Sequence, residues 1–222
     1  MAAIITHKGP PPAGVAGIFT LLFLGSIILS RILTHNAPLP MPYGNPWLSQ
    51  QYFLTFPFAV RLSGFLQLGS AITLAILTAA LTSRLRFLGI TATGPQIALA
   101  GGIASSTFLA FSGLVSWVLS QPGTADTFDT MRSLQLLGFI SGGVAHTATL
   151  GLLVAGIAVP CLILRLLPKG WAIAGLVMAA LAELSTLSMI LPQLSFLLPL
   201  ARFPAMVWLI LAGASLPRSK PQ

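Results

Sequence analysis

Glu183 is the one acid inside an apolar run of a chain that carries only three acidic residues against eleven Lys and Arg. A carboxylate at bilayer depth costs roughly 2.5–3.5 kcal/mol on insertion scales, so it is expected to be paired, protonated or hydrated. Arg61, Arg132 and Arg202 each open an apolar run on one side of the membrane and are its expected ionic partners. Gln67 and Gln135, one or two turns into two of those runs, would serve a protonated carboxyl. His146 is the single histidine inside a run. Gly138, Gly142 and His146 stand at i, i+4 and i+8, and Gly175, Ala179 and Glu183 repeat the spacing, which predicts that both ionisable side chains point into a bundle. One chemistry for this set is anion handling, with the three arginines holding an anionic headgroup or solute and Glu183 exchanging a proton. The alternative is a buried ion pair that fixes helix register, with His146 a hydrogen-bonded packing residue.

Other chemistries are excluded or weakened by inventory. Lys8, Lys169 and Lys220 lie in tails or a loop, so no lysine is placed for a retinal Schiff base. His7 and His35 flank the first run, which argues against a bis-histidine haem and leaves open His146 with Met178 or Met189, or a single-ligand pigment. Cys161 is the only cysteine, which removes internal disulfides, CxxC redox pairs and thiolate metal cages, and no HExxH is present. The Gly138-Phe-Ile-Ser141-Gly142 segment superficially resembles the GxSG of rhomboid proteases, with one residue too many. On a regular helix Ser141 and His146 would stand about 140° apart, unable to act as nucleophile and base. No catalytic or metal-ligating residue is assigned, and the cofactor stays unknown. The cations are dispersed at the ends of apolar runs with no basic stripe, a pattern of membrane topology and not of nucleic-acid binding.

The elements that must position these residues are transmembrane helices. The 222 residues are 55% hydrophobic and 6% charged, with a mean hydropathy of +0.93, far from the quarter of charged residues in soluble domains. At about 20 residues per crossing the chain divides into six apolar runs, near 14–33, 58–82, 95–119, 133–164, 171–191 and 203–216, and reads as one all-α polytopic bundle. The first run is too long for a signal-peptide core and lacks a cleavage pattern, so it is expected to be a retained helix. The last is short and would need either 197–202 or local thinning of the bilayer to complete a crossing. Residues 34–57 form an external loop broken by five prolines. Within it Asn45-Pro46 has the form of an N-cap and first helical position, so Trp47 to Phe56 is expected to be either a short interfacial helix that carries Trp47, Tyr52 and Phe53 at the headgroup level or an irregular loop lying on the bundle. Small residues at four-residue spacing, Ala98, Gly102, Ser106 and Ala110, followed by Gly113, in the third run and Gly138 and Gly142 in the fourth, mark faces for close helix packing. Alternating the loops places Lys8, Arg84, Arg86, Arg165, Lys169, Arg218 and Lys220 on one side and Arg31, Arg61, Arg132 and Arg202 on the other. The positive-inside rule then puts both termini in the cytoplasm.

Two segments carry a family resemblance. Leu166-Leu-Pro-Lys-Gly-Trp171, and Leu198-Pro-Leu-Ala-Arg-Phe-Pro204 running on through Trp208-Leu-Ile-Leu-Ala-Gly213, resemble the second half of a group of bacterial multi-pass proteins defined as a domain of unknown function. The resemblance implies a six-helix protein of the bacterial inner membrane and supplies no activity. From the residues the expected function is a non-enzymatic accessory or binding subunit of a larger membrane complex, surrounded by lipid, with the proline- and aromatic-rich loop as contact surface for other subunits. The alternative is the small transporter or lipid- and anion-handling protein that Glu183 and the arginines suggest.

Overall fold

Proline at the first turn starts four of the helices, where its missing N–H and fixed φ are no liability. A computed structural model describes residues 7–219, leaving Lys220 outside them. Helix α1 spans Pro12–Leu33. Helix α2, Pro46–Thr55, is the helical one of the two forms expected for the loop, capped by Asn45, whose side chain accepts from the Trp47 backbone N–H at 3.0 Å. Helices α3, Pro57–Phe87, and α4, Gly94–Leu119, follow. The fourth crossing is composite: α5, Phe128–Phe139, runs through a π-helical segment Ile140–Ala145 into α6, His146–Ile163. Helix α7, Lys169–Leu184, tightens into a 3₁₀ turn, Ser185–Met189. A second such turn, Pro192–Phe196, leads into α8, Leu197–Ser215. Among the described residues, six stretches are thus long and apolar enough to cross a membrane.

The crossings form a closed circuit in which α1 packs on α3, α3 on α4, α4 on α6, α6 on α7, α7 on α8 and α8 back on α1. Large side chains such as Phe19, Leu77, Leu109, Leu153, Ile157 and Leu209 fill its centre with no exposure worth counting. The two ends of the described residues lie at one face, joined where the His7 N–H donates to the Arg218 carbonyl at 2.9 Å. The predicted small-residue faces are buried as expected at Ala98, Gly102, Ser106, Gly113, Gly142, Gly175 and Ala179. Backbones approach closely between α3 and α4, where a Cβ on Gly64 would sit 2.5 Å from the Gly113 carbonyl oxygen. Gly175 lies beneath the Trp208 ring, whose indole N–H donates to the Trp171 carbonyl at 2.8 Å.

Several boundaries differ from the hydropathy reading, for identifiable reasons. Helix α3 continues to Phe87 because Arg84 and Arg86 suit a helix C-terminus; Arg84 is buried and donates to the Leu216 carbonyl at 3.4 Å. Helix α8 takes up 197–202, one of the two routes open to the short last run. Of the three aromatics expected at headgroup level, only Trp47 is exposed. Tyr52 and Phe53 turn into the bundle end with Val60, Leu119 and Met131, so α2 is a lid and not a freely lying interfacial helix.

Candidate binding site

Beneath that lid, at the face opposite the termini, is a cavity of about 240 Å³ between α1, α3, α4 and α5. Three polar stripes at helical spacing meet in it: Ser26 and Ser30 on α1, Ser63 and Gln67 on α3, and Ser112 and Ser116 on α4. Residues at i and i+4 share a helix face, so each stripe follows from the sequence. Tyr52, Phe53 and Phe139 supply aromatic walls, and Arg31 reaches the rim. Ile27 and Leu39 also line the cavity while exposed at 40% and 64%, which opens its side toward the apolar surroundings of the bundle.

The hydrogen bonds give the cavity a polarity. Ser30 Oγ donates to the Ala59 carbonyl at 3.2 Å, Ser112 Oγ to that of Gly138 at 3.0 Å, and Ser116 Oγ to that of Ser112 at 3.0 Å. Ser26 Oγ donates to the Phe23 carbonyl at 2.7 Å. Each hydroxyl proton is directed to the backbone, so the oxygens present lone pairs. Gln67 donates to Ser63 Oγ at 3.4 Å, and its buried Oε1 has no partner. The surface inside is therefore rich in acceptors. Burial raises the Tyr52 phenol above its ordinary pKa, opposed in part by a hydrogen bond with Thr34 and by the Arg31 charge, so it is held protonated.

Gln135 fastens the lid. Its Nε2 donates to Ser49 Oγ on α2 at 2.9 Å and to the Pro40 carbonyl at 3.2 Å. Arg132 NH1 donates to Gln135 Oε1 at 3.3 Å and so fixes which way the amide faces. On the neighbouring edge Gln50 Nε2 donates to the Ala125 and Asp126 carbonyls at 3.0 and 3.2 Å.

The remaining residues read from the sequence go elsewhere. Arg61 is exposed and closes the end of α4 through Nη2 to the Ser120 carbonyl at 3.3 Å and Nε to Ser120 Oγ at 3.4 Å, a cation at a helix C-terminus. Glu183 does not point into the bundle. It is exposed on α7, whose buried residues are Ala172, Gly175, Ala179 and Ala182, and among the described residues it is paired with none of the three arginines. The reason is angular: eight residues on a regular helix advance 800°, leaving Glu183 about 80° round from Gly175.

His146 stands at the same spacing from Gly138 and is completely buried. The π segment between them accommodates one extra residue, about one 100° step, and returns His146 to the inner face. It also overturns the 140° separation expected of Ser141 and His146, although the two remain unpaired. Ser141 Oγ donates to the Leu137 carbonyl at 2.5 Å, while His146 forms a reciprocal clasp with α4. Ser105 Oγ donates to the His146 carbonyl at 3.0 Å and lies 2.8 Å from its Nδ1, which faces the Ser105 carbonyl at 3.0 Å. His146 Nε2 has no partner. The imidazole stacks on Phe23 at 6.2 Å, and Arg202 Cζ lies 5.0 Å over the centroid of the same Phe23 ring.

Ser105, Phe23, Arg31 and the serine stripes were not singled out in the sequence. Their i, i+4 spacing on three helices was the available signal. Comparison with protein-family models, with curated proteins and with solved structures found no match.

Proposed function

We propose that this protein is a membrane-embedded binding component that holds a neutral amphipathic molecule in the lidded cavity. The acceptor-rich interior is the observation that carries the reading. It suits a ligand whose head donates hydrogen bonds, such as an alcohol, amide or polyol, since unpaired buried acceptors are costly. Ile27 and Leu39, which line the cavity and are also exposed, favour an alkyl tail leaving into lipid on that side. The volume admits a small headgroup and little more. The resemblance in the segments 166–171 and 198–213 supports a bacterial inner membrane as its location, and the seven-to-four division of cations supports cytoplasmic termini, with the lid on the opposite side.

A monoacylglycerol with a ten-carbon chain is a suitable probe. It should raise the thermal unfolding midpoint of the detergent-purified protein by several degrees, and Ser116→Phe, which fills the cavity from α4, should abolish the shift while folding. An equal shift in the variant, or none in the wild type, sinks the pocket reading.

Glu183 supports a second, compatible reading, that of a subunit in a larger complex. An exposed carboxyl among Leu184, Leu187 and Met189 is unfavourable against lipid and favourable against a partner helix that offers a donor. Native mass spectrometry from mild detergent should then show assemblies heavier than the monomer, reduced by Glu183→Leu. A monomer in both cases counts against it.

A further inference from the structure

Arg202 stands near the middle of the Pro192–Ser215 crossing, where a cation is costly unless something neutralises it. Nothing in the described chain does so. Asp126 and Asp129 lie at or beyond the start of α5, Glu183 faces outward on α7, and none pairs with Arg202 among the described residues. Its Nη1 donates to the Gly142 carbonyl at 3.0 Å, inside the π segment. Phe23 and Phe203 flank the guanidinium, with centroids 5.0 and 5.9 Å from Cζ. These contacts orient the group and shield its faces, but leave one edge without partners: Nε is buried and unbonded, and Nη2 has no bond among the described residues. The residue as a whole keeps part of its surface exposed.

We infer that the Nε–Nη2 edge of Arg202 is a carboxylate-binding site at mid-membrane depth, distinct from the cavity under the lid. A guanidinium edge presents two parallel N–H donors at the spacing of two carboxylate oxygens, and such bidentate pairing is strongest where water is excluded. The Gly142 carbonyl holds Nη1 and thereby leaves the Nε–Nη2 side as the one free fork. The aromatic walls offer no competing acceptor and suit an ion that arrives with apolar substance attached. The carboxylate comes either from a small free acid or from a fatty acid whose chain lies in the bilayer. His146, which shares Phe23 with Arg202, has its Nδ1 committed to the Ser105 carbonyl.

The purified full-length protein, titrated separately with acetate, decanoate and the uncharged ten-carbon monoacylglycerol, tests this by the shift in unfolding midpoint. Decanoate binding in the wild type, weakened at least about tenfold by Arg202→Gln, the equivalent of one charge-assisted hydrogen bond, is the expected result. Acetate acting as well as decanoate assigns the site to small acids, and decanoate alone assigns it to fatty acids; both support the site. Arg202→Lys keeps a charge without the fork and should also lose about tenfold, which decides the matter where the glutamine variant fails to fold. Equal carboxylate binding in wild type and Arg202→Lys, or none in the wild type, overturns the inference. Monoacylglycerol binding reports on the lidded cavity alone, so failure of either site is separable from failure of the other.

Discussion

Gly64→Ala should lower stability by about 2–3 kcal/mol, the upper range for overpacking a well-packed contact, and should reduce the monodisperse fraction recovered in detergent. The added methyl would lie 2.5 Å from the Gly113 carbonyl oxygen and 3.1 Å from the Trp117 nitrogen. Both are backbone atoms of α4, so no rotamer change relieves the clash and the helices must part. Gly113→Ala should behave alike, its Cβ falling 2.7 Å from the Gly64 carbonyl oxygen, and the double variant should gain nothing, because each methyl meets backbone and not the other methyl. Separating α3 from α4 also widens the cavity they share. Gly17→Ala on α1 is the control, since nothing lies within 4 Å of its Cβ; helix propensity alone should leave it neutral or slightly stabilised. An unfolding midpoint for Gly64→Ala equal to that of the control would show that the α3–α4 contact is looser than described.

Gln135→Leu should unfasten the lid. It removes the donor shared by Ser49 Oγ and the Pro40 carbonyl and leaves Arg132 without its Oε1 acceptor. At about 1–3 kcal/mol for each buried group left unsatisfied, the loss is concentrated in 37–56 and not spread through the bundle. Hydrogen exchange in that segment should accelerate by at least tenfold while the α6 core is unchanged, and monoacylglycerol affinity should fall with it. Arg132→Ala should reproduce the effect more weakly, because the amide keeps its donor but loses the bond that sets its orientation. Exchange rates in 37–56 equal to wild type would mean that Tyr52 and Phe53 hold the lid without Gln135.

What hydropathy and proline placement made legible was the set of crossings and the capped loop helix. Asn45-Pro46 named the start of α2, and small residues named the faces that pack. Glu183 was misplaced because four-residue spacing was followed over two turns, while a helix drifts 20° per seven residues and more over eight. Gln67 and Gln135 were identified as polar partners for an acid; both instead serve the cavity, one in its wall and one in its fastening. The missed serines are individually unremarkable in membrane helices: Ser26 and Ser116 return their hydroxyls to carbonyls of their own helix, while Ser30 and Ser112 donate across to α3 and α5. Only their convergence from three helices makes a site, and convergence is a property of packing. The π segment was hidden for a related reason: Gly142-Gly143 permits it, but an extra residue in a turn has no composition of its own.

That extra residue has a bearing on how the protein can change over time. Below it, α6 is committed to the common interior through Leu150, Leu153 and Ile157; above it, α5 carries Gln135 and Gly138 toward the cavity. The two halves of one crossing thus answer to different neighbours. A single-residue deletion within 140–145 would merge them into one continuous helix and swing the upper half by about 100°, carrying Gln135 off Ser49 while leaving the interior intact. Ligand preference would then change, or be lost, by insertion and deletion at one point of a single crossing.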